Sequence, residues 1–458
     1  MVLENFVFCV PNSLVEMGTS FALPAMGALS TRIKERFDTD DAGIGTLTSA
    51  YFFAAMVGPL VGGVSMQKWG PNITIIVANT IVTIGAMLQA IANGPDQLWL
   101  IFIGRLLLGF GGEITPFTTV EILGRLFPDY FGLMAGIRNL VQSLSGCLAF
   151  ILLPIWADAY GEGNDGTTFA LWMCVVLGFA SIISCAITSI SMTKENISSE
   201  EQSDQNTITK VIRGFAKATT PELPEWRKWM LPVSFFFAVF GIKAQYFAPF
   251  QFTAFSNEIY RMKFKRNESE ASFLSGFISL VAGLMSPVMG EMSDRIGKRS
   301  PCLAFGSFLT VIGFFLLATS SGGGTGGGTS VWIASILFSL QYGFGDTVAY
   351  IAIRFIVGAN RAGIGYGVYG VLGNLIATVV TVIGGFIIEG SANGIDNVLW
   401  YFCGIMFLGT LCWVMVYFLE GRRSILELPA TDVIETSDAD LQLAALTYIV
   451  SPTVKLSL

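Results

Sequence analysis

Apolar residues run along this chain in blocks of about twenty, separated by short polar stretches, which is the length a helix needs to cross a bilayer core. Twelve blocks predict twelve spans, at 5–29, 44–67, 73–93, 98–122, 131–155, 168–192, 229–253, 270–291, 301–320, 331–353, 362–388 and 397–420. The longest polar interruption opens KENISSEEQSDQN and follows the sixth span, so it divides the chain into two sets of six. The expected architecture is all-α and integral to a membrane. It comprises a six-helix bundle over 1–192, a polar central loop over 193–228, a second six-helix bundle over 229–420 and an acidic tail over 421–458.

Composition narrows the function. The AVILMFWYC set makes up 53% of the 458 residues and charged residues only 13%, about half the share of a soluble domain. There is no histidine, which removes imidazole metal ligands, histidine proton relays and Ser-His-Asp catalysis. Any proton coupling must therefore run through carboxylates. The seven cysteines all fall in apolar runs without CxxC spacing, so they read as packing residues. The run SGGGTGGGTS at 321–330 lacks a following Gly-Lys-Ser/Thr and reads as a linker, not a phosphate loop. No enzyme, metal site, cofactor or nucleic-acid partner is expected.

Lysine and arginine collect on the cytoplasmic side of membrane proteins. With both termini inside, sixteen of these bases fall on the inner side and seven, from Arg32 to Arg36 and Arg261 to Arg266, on the outer. Both termini are therefore expected to be cytoplasmic. The sequon at Asn267 then faces outward as a glycosylation site.

The eighth span ends in GEMSDRIGKR, which sets Gly290, Asp294, Arg295, Gly297 and Lys298 at fixed spacing, and the second span ends in the weaker copy GVSMQKWGPN. This repeated pattern resembles the signature loop of the major facilitator superfamily, transporters built from two six-helix bundles that rock about a central site. The resemblance implies a latch between the bundles at this loop, with Gln67 standing where the first copy expects an aspartate. GRLLLGFGGE, AQYFAPFQFTAF, SPVMGEMSDRIGK and GYGVYGVLGNL together resemble the lysosomal dipeptide transporter branch, of the major facilitator superfamily domain-containing protein 1 type. That likeness implies peptide or amino-acid movement across a lysosomal or other endomembrane, and a glycosylated accessory membrane subunit. The branch expects a fifth-span arginine near Ser143. This chain has Arg138 instead, five residues or about 500° of helix away and on another face.

Charges inside membrane spans are costly and usually face a cavity. Here they are Glu16 on the first span, Arg105 and Glu113 on the fourth, Arg138 on the fifth, Lys243 on the seventh and Asp346 on the tenth. The superfamily lines its cavity with spans one, four, seven and ten. Acids and bases facing one pocket suit a zwitterion, with Tyr246 and Tyr342 as candidate lining. The expected function is secondary active or facilitative transport of small organic solutes, dipeptides or amino acids foremost. Two other readings stay open. One is a proton-coupled organic-anion or drug exporter, because Arg105-x-x-x-Gly109-x-Gly111-Gly112 resembles a fourth-span antiporter motif. The other is a non-transporting membrane receptor or scaffold.

Overall fold

The computed structural model describes residues 11–39, 41–92, 94–160, 164–205, 231–246, 252–266, 268–320, 325–358, 361–390, 393–421 and 425–429. The described residues are helical almost throughout, and many of the breaks fall at proline or glycine, whereas those at Asp38 and Lys265 use a non-glycine residue of positive φ. The first span bends at Pro24, which separates α1 (Met17–Ala22) from α2 (Ala25–Ala28), and α3 (Ser30–Phe37) follows. The second and third spans run together as α4 (Asp41–Ile91) across Gly70, whose φ of 80° and ψ of 166° mark the corner before Pro71.

The fourth span is split into α5 (Leu98–Gly112) and α6 (Ile114–Leu126), with Glu113 as the joint. Pro116 lacks the N–H that would bond the Gly112 carbonyl, so the ladder is interrupted where Glu113 sits. The fifth and sixth spans are α7 (Phe131–Tyr160) and α8 (Asn164–Gln205); α8 carries its helix well into the stretch expected to begin a loop at 193. The second half contributes α9 (Val233–Tyr246), α10 (Phe252–Met262), α11 (Glu268–Ile296), α12 (Arg299–Thr319), α13 (Thr325–Val357), α14 (Ala362–Gly390) and α15 (Gly394–Glu420).

Nine helices among the described residues are long and apolar enough to cross a membrane, one of them holding the second and third spans, and Val233–Gln245 is a shorter apolar helix. Large apolar side chains such as Phe53, Phe386 and Phe418 are about 70% exposed on the helix exteriors, as expected of faces covered by acyl chains. Six described cysteines are unpaired.

The two bundles meet along two helix pairs, α7 with α11 and α4 with α14. Glycine permits both contacts. A Cβ at Gly132 would collide with the Gly290 carbonyl, and one at Gly63 with the Gly363 carbonyl, so the backbones touch directly.

The apolar cores show which end is closed. One buried cluster mixes residues of both bundles, including Phe117, Leu123 and Phe131 with Phe344, Ile353 and Tyr366, and it lies toward the face bearing the 290–299 loop. Toward the opposite face, one cluster belongs entirely to the first bundle and another entirely to the second. The bundles are thus fused at the signature-loop face and separate cores at the far face.

Candidate functional site between the bundles

Glu113 occupies the joint of the fourth span and keeps part of its surface accessible. Tyr51 on α4 donates its hydroxyl to Glu113 Oε1 at 3.1 Å. Lys243 on α9 approaches from the other bundle. Its aliphatic end fills the space left by Gly373, where a Cβ would crowd Cε, and its ammonium lies 4.6 Å from the Tyr369 ring centroid. The Lys243 charge lies within electrostatic reach of the Glu113 carboxylate. An acid from one bundle and a base from the other, each half-buried, therefore lie within electrostatic reach of one another.

An aromatic layer lies beside this pair toward the closed face. Phe117 stacks on Tyr366 at 5.7 Å and meets Tyr350 and Tyr369 edge-on at 5.7 and 5.8 Å. One ring comes from the first bundle and three from the second, so the layer joins the halves. Asn374 adds a hydrogen bond across the gap, donating to the Ala55 carbonyl at 2.9 Å.

Glu16 and Arg138 pair with each other and face no open space. Arg138 donates Nε to Glu16 Oε1 at 2.7 Å and Nη2 to Oε2 at 2.6 Å, with both side chains 2% exposed. Arg138 also donates to Asn139 Oδ1 at 2.5 Å, and Asn139 Nδ2 reaches Thr347 Oγ1 on α13 at 3.1 Å. The chain of bonds runs from the first span to the tenth.

Arg105 serves backbone. It donates to the carbonyls of Ala22 at 3.2 Å, Leu23 at 3.0 Å and Leu47 at 3.4 Å, and its guanidinium lies 5.4 Å from the Tyr51 ring. The break at Pro24 leaves carbonyls that need donors in a membrane interior, and Arg105 supplies them. Tyr342 is half-buried on α13. The backbones of Tyr246 and Asp346 lie on α9 and α13, but their side chains, like Asn267, lie outside the described residues.

At the signature-loop face Asp294 crosses to the other bundle. Its Oδ1 accepts from Gly132 N–H at 2.8 Å and its Oδ2 from Leu133 N–H at 2.9 Å. Those N–H groups open α7 and have no acceptor within their own helix. Arg295 pairs with Glu291 on its own helix at 2.6 Å; Gly297 and Lys298 form the turn that follows.

A second crossing was not among the sequence candidates. Arg354 on α13 donates Nη1 to Glu121 Oε2 on α6 at 2.5 Å, and Arg125 donates to Oε1 of the same acid at 2.8 Å. Glu121 is 1% exposed, and its spacing four residues before Arg125 was the available signal. Among the described residues no cluster of acids or cysteines is suited to a metal.

The sequence model of the Major Facilitator Superfamily matches residues 10–264 and 252–454. The chain is 22% identical over 415 residues to the lysosomal dipeptide transporter MFSD1 of Mus musculus, covering 88% of this chain and 84% of that protein. It is 21% identical over 416 residues to the Homo sapiens counterpart, covering 89% and 84%. Among solved structures, the proton:xylose symporter XylE superposes with a TM-score of 0.71 at 13% identity, covering 93% of this chain and 98% of that one. A bacterial homologue of the human drug peptide transporters PepT1 and PepT2 superposes at 0.56 with 16% identity, covering 91% and 98%. With both halves matched by the superfamily and the two-bundle fold in place, this chain belongs to the major facilitator superfamily and is a multi-pass membrane transporter.

Proposed function

We propose that this protein carries small zwitterionic solutes, dipeptides or amino acids, by alternating access, with Glu113 receiving the substrate amine and Lys243 its carboxylate. The observation that carries this reading is that those two charges, from opposite bundles and each half-buried, lie within electrostatic reach of one another. Each half of a zwitterion then meets its counter-charge through a charge-assisted hydrogen bond, and a bound solute ties the two bundles together. Tyr350, which keeps part of its surface accessible, offers an aromatic face for side chains, with Phe117 and Tyr369 packed against it.

Similarity along most of the chain to transporters named for lysosomal dipeptides supports the peptide class and an endomembrane address. With the signature-loop face taken as cytoplasmic, as the bias of lysine and arginine suggests, the described conformation is closed to the cytosol. Opening there requires release of Asp294 from α7 and of Glu121 from Arg354. The acid in the site weighs against an organic-anion exporter, because it would repel such a cargo.

The reading is tested by counterflow in proteoliposomes loaded with a dipeptide. Uptake of labelled dipeptide, competed by other dipeptides and not by sugars or organic anions, is the expected result. Uptake of sugars or anions with dipeptides inert would overturn the assignment of substrate and leave the fold standing.

A further inference from the structure

The last described residues fold back onto the signature loop. Between α11 and α12 the chain passes through two consecutive left-handed residues, Gly297 with φ 64° and Lys298 with φ 44°. Beside this turn, Ile425–Glu427 form one turn of 3-10 helix. Lys298 N–H donates to the Glu427 carbonyl at 3.0 Å, and Ser300 N–H to Glu427 Oε1 at 3.3 Å. Arg299 donates Nη1 to the carbonyls of Leu426 at 3.2 Å and Leu428 at 2.8 Å, and Nε to Ser293 Oγ at 3.1 Å. Its guanidinium also covers Phe355 on α13 at 4.7 Å.

Leu426 is 1% exposed and belongs to the apolar cluster shared by the two bundles. A Cβ at Gly297 would stand 2.6 Å from the Glu427 carbonyl oxygen. Glycine is therefore needed there twice, for its positive φ and for the closeness of the returning chain.

These contacts divide the labour within the signature loop. Asp294 crosses to the other bundle, whereas Gly297, Lys298 and Arg299 hold residues 426–428. Arg299 bonds Ser293, the neighbour of Asp294 on the last turn of α11. The 3-10 turn packs on α12 and α13, and the loop with Asp294 gives it a route to the first bundle.

We propose that residues 425–429 are an intramolecular strap that keeps the α11–α12 turn in the shape that lets Asp294 hook α7, so that lifting the strap frees the signature-loop face to open. Access at that face is then under the control of the tail. This inference does not depend on which solute is carried.

Hydrogen–deuterium exchange reads it directly, because Gly132 and Leu133 N–H are held by Asp294 alone and exchange when the hook lets go. Four forms of the chain are compared: unmodified, ended after Arg423, ended after Ala430 and Leu426→Asp. Loss of the strap in the Arg423-ended and Leu426→Asp forms is expected to speed exchange at 132–133 by about threefold or more. The Ala430-ended form keeps the strap and should match the unmodified chain. Should the shorter chain fail to fold, Leu426→Asp and the milder Arg299→Lys carry the test. Unchanged exchange at 132–133 in a folded strap-free form overturns the proposal. So does an equal acceleration across both bundles, which would mean general loosening.

Discussion

Arg138 closes a two-pronged ion pair with Glu16, at 2.7 and 2.6 Å, inside the first bundle and sealed from solvent. Through Asn139 the same group reaches Thr347 of the second bundle. A buried pair of this kind is expensive to break from one side, because the remaining charge is left without compensation.

Arg138→Ala should therefore destabilise the folded protein by about 3–5 kcal/mol, and the double variant Glu16→Gln with Arg138→Met should recover much of that loss. Thermal unfolding in detergent, followed for both variants, checks this. Equal losses in the single and double variants would show that packing and not charge pairing is at stake.

Glu121 and Arg354 join the two bundles at the closed face. A double-mutant cycle with Glu121→Ala and Arg354→Ala should give a coupling of about 1–3 kcal/mol. The single variants should also make α6 and α13 more accessible near the signature-loop face, as read by hydrogen exchange. Additive effects would remove this pair from the gate.

Gly132 and Gly290 touch backbone to backbone. Gly132→Val drives a side chain into the Gly290 carbonyl and the Asp294 carboxylate, and should hold the signature-loop face ajar. Exchange at Leu133 should rise while the far-face core of Phe252, Phe314 and Phe402 keeps its protection. If Leu133 remains as protected as in the unmodified chain, the Asp294 hook is not the latch described above.

Burial pushes the Glu427 carboxyl above its ordinary range, against the opposing pull of the Ser300 N–H and the Arg299 charge, with Glu420 adding to the rise. The docked strap thus holds a proton more firmly than the released one. By linkage, docking is favoured as pH falls and weakens as pH rises through the docked pKa. Protection of the Lys298 N–H, which the Glu427 carbonyl holds directly, corrected for intrinsic exchange, should increase between neutral and mildly acidic pH. Glu427→Gln should flatten that dependence.

The twelve spans were legible because each is an apolar block of membrane length, and the corner at Gly70 and Pro71 and the kink at Glu113 sit on glycine and proline that local chemistry marks. The partners were less legible. Asp294 could be read as part of a latch, but what it grips is a pair of backbone N–H groups 161 and 162 residues away, which leave no side-chain signature. Arg354 looked like one more loop base, since Glu121 lies 233 residues before it. Arg105 and Glu113 looked alike as membrane charges. Only the fold separates them, since Arg105 is committed to carbonyls at the Pro24 break and Glu113 is left facing Lys243. Aromatic residues such as Phe117 and Tyr369 give no sequence sign that distinguishes a shared layer from ordinary packing.

The most direct test of the account is ligand-induced thermal stabilisation of the purified protein by one dipeptide and by its N-acetylated and C-amidated forms, in the unmodified chain and in Glu113→Gln and Lys243→Met. The account predicts that the free dipeptide raises the melting temperature and that blocking either end removes the effect. It also predicts that each variant abolishes the response to the free dipeptide while remaining folded. Undiminished stabilisation of both variants by the free dipeptide would contradict the charge-paired site between the bundles.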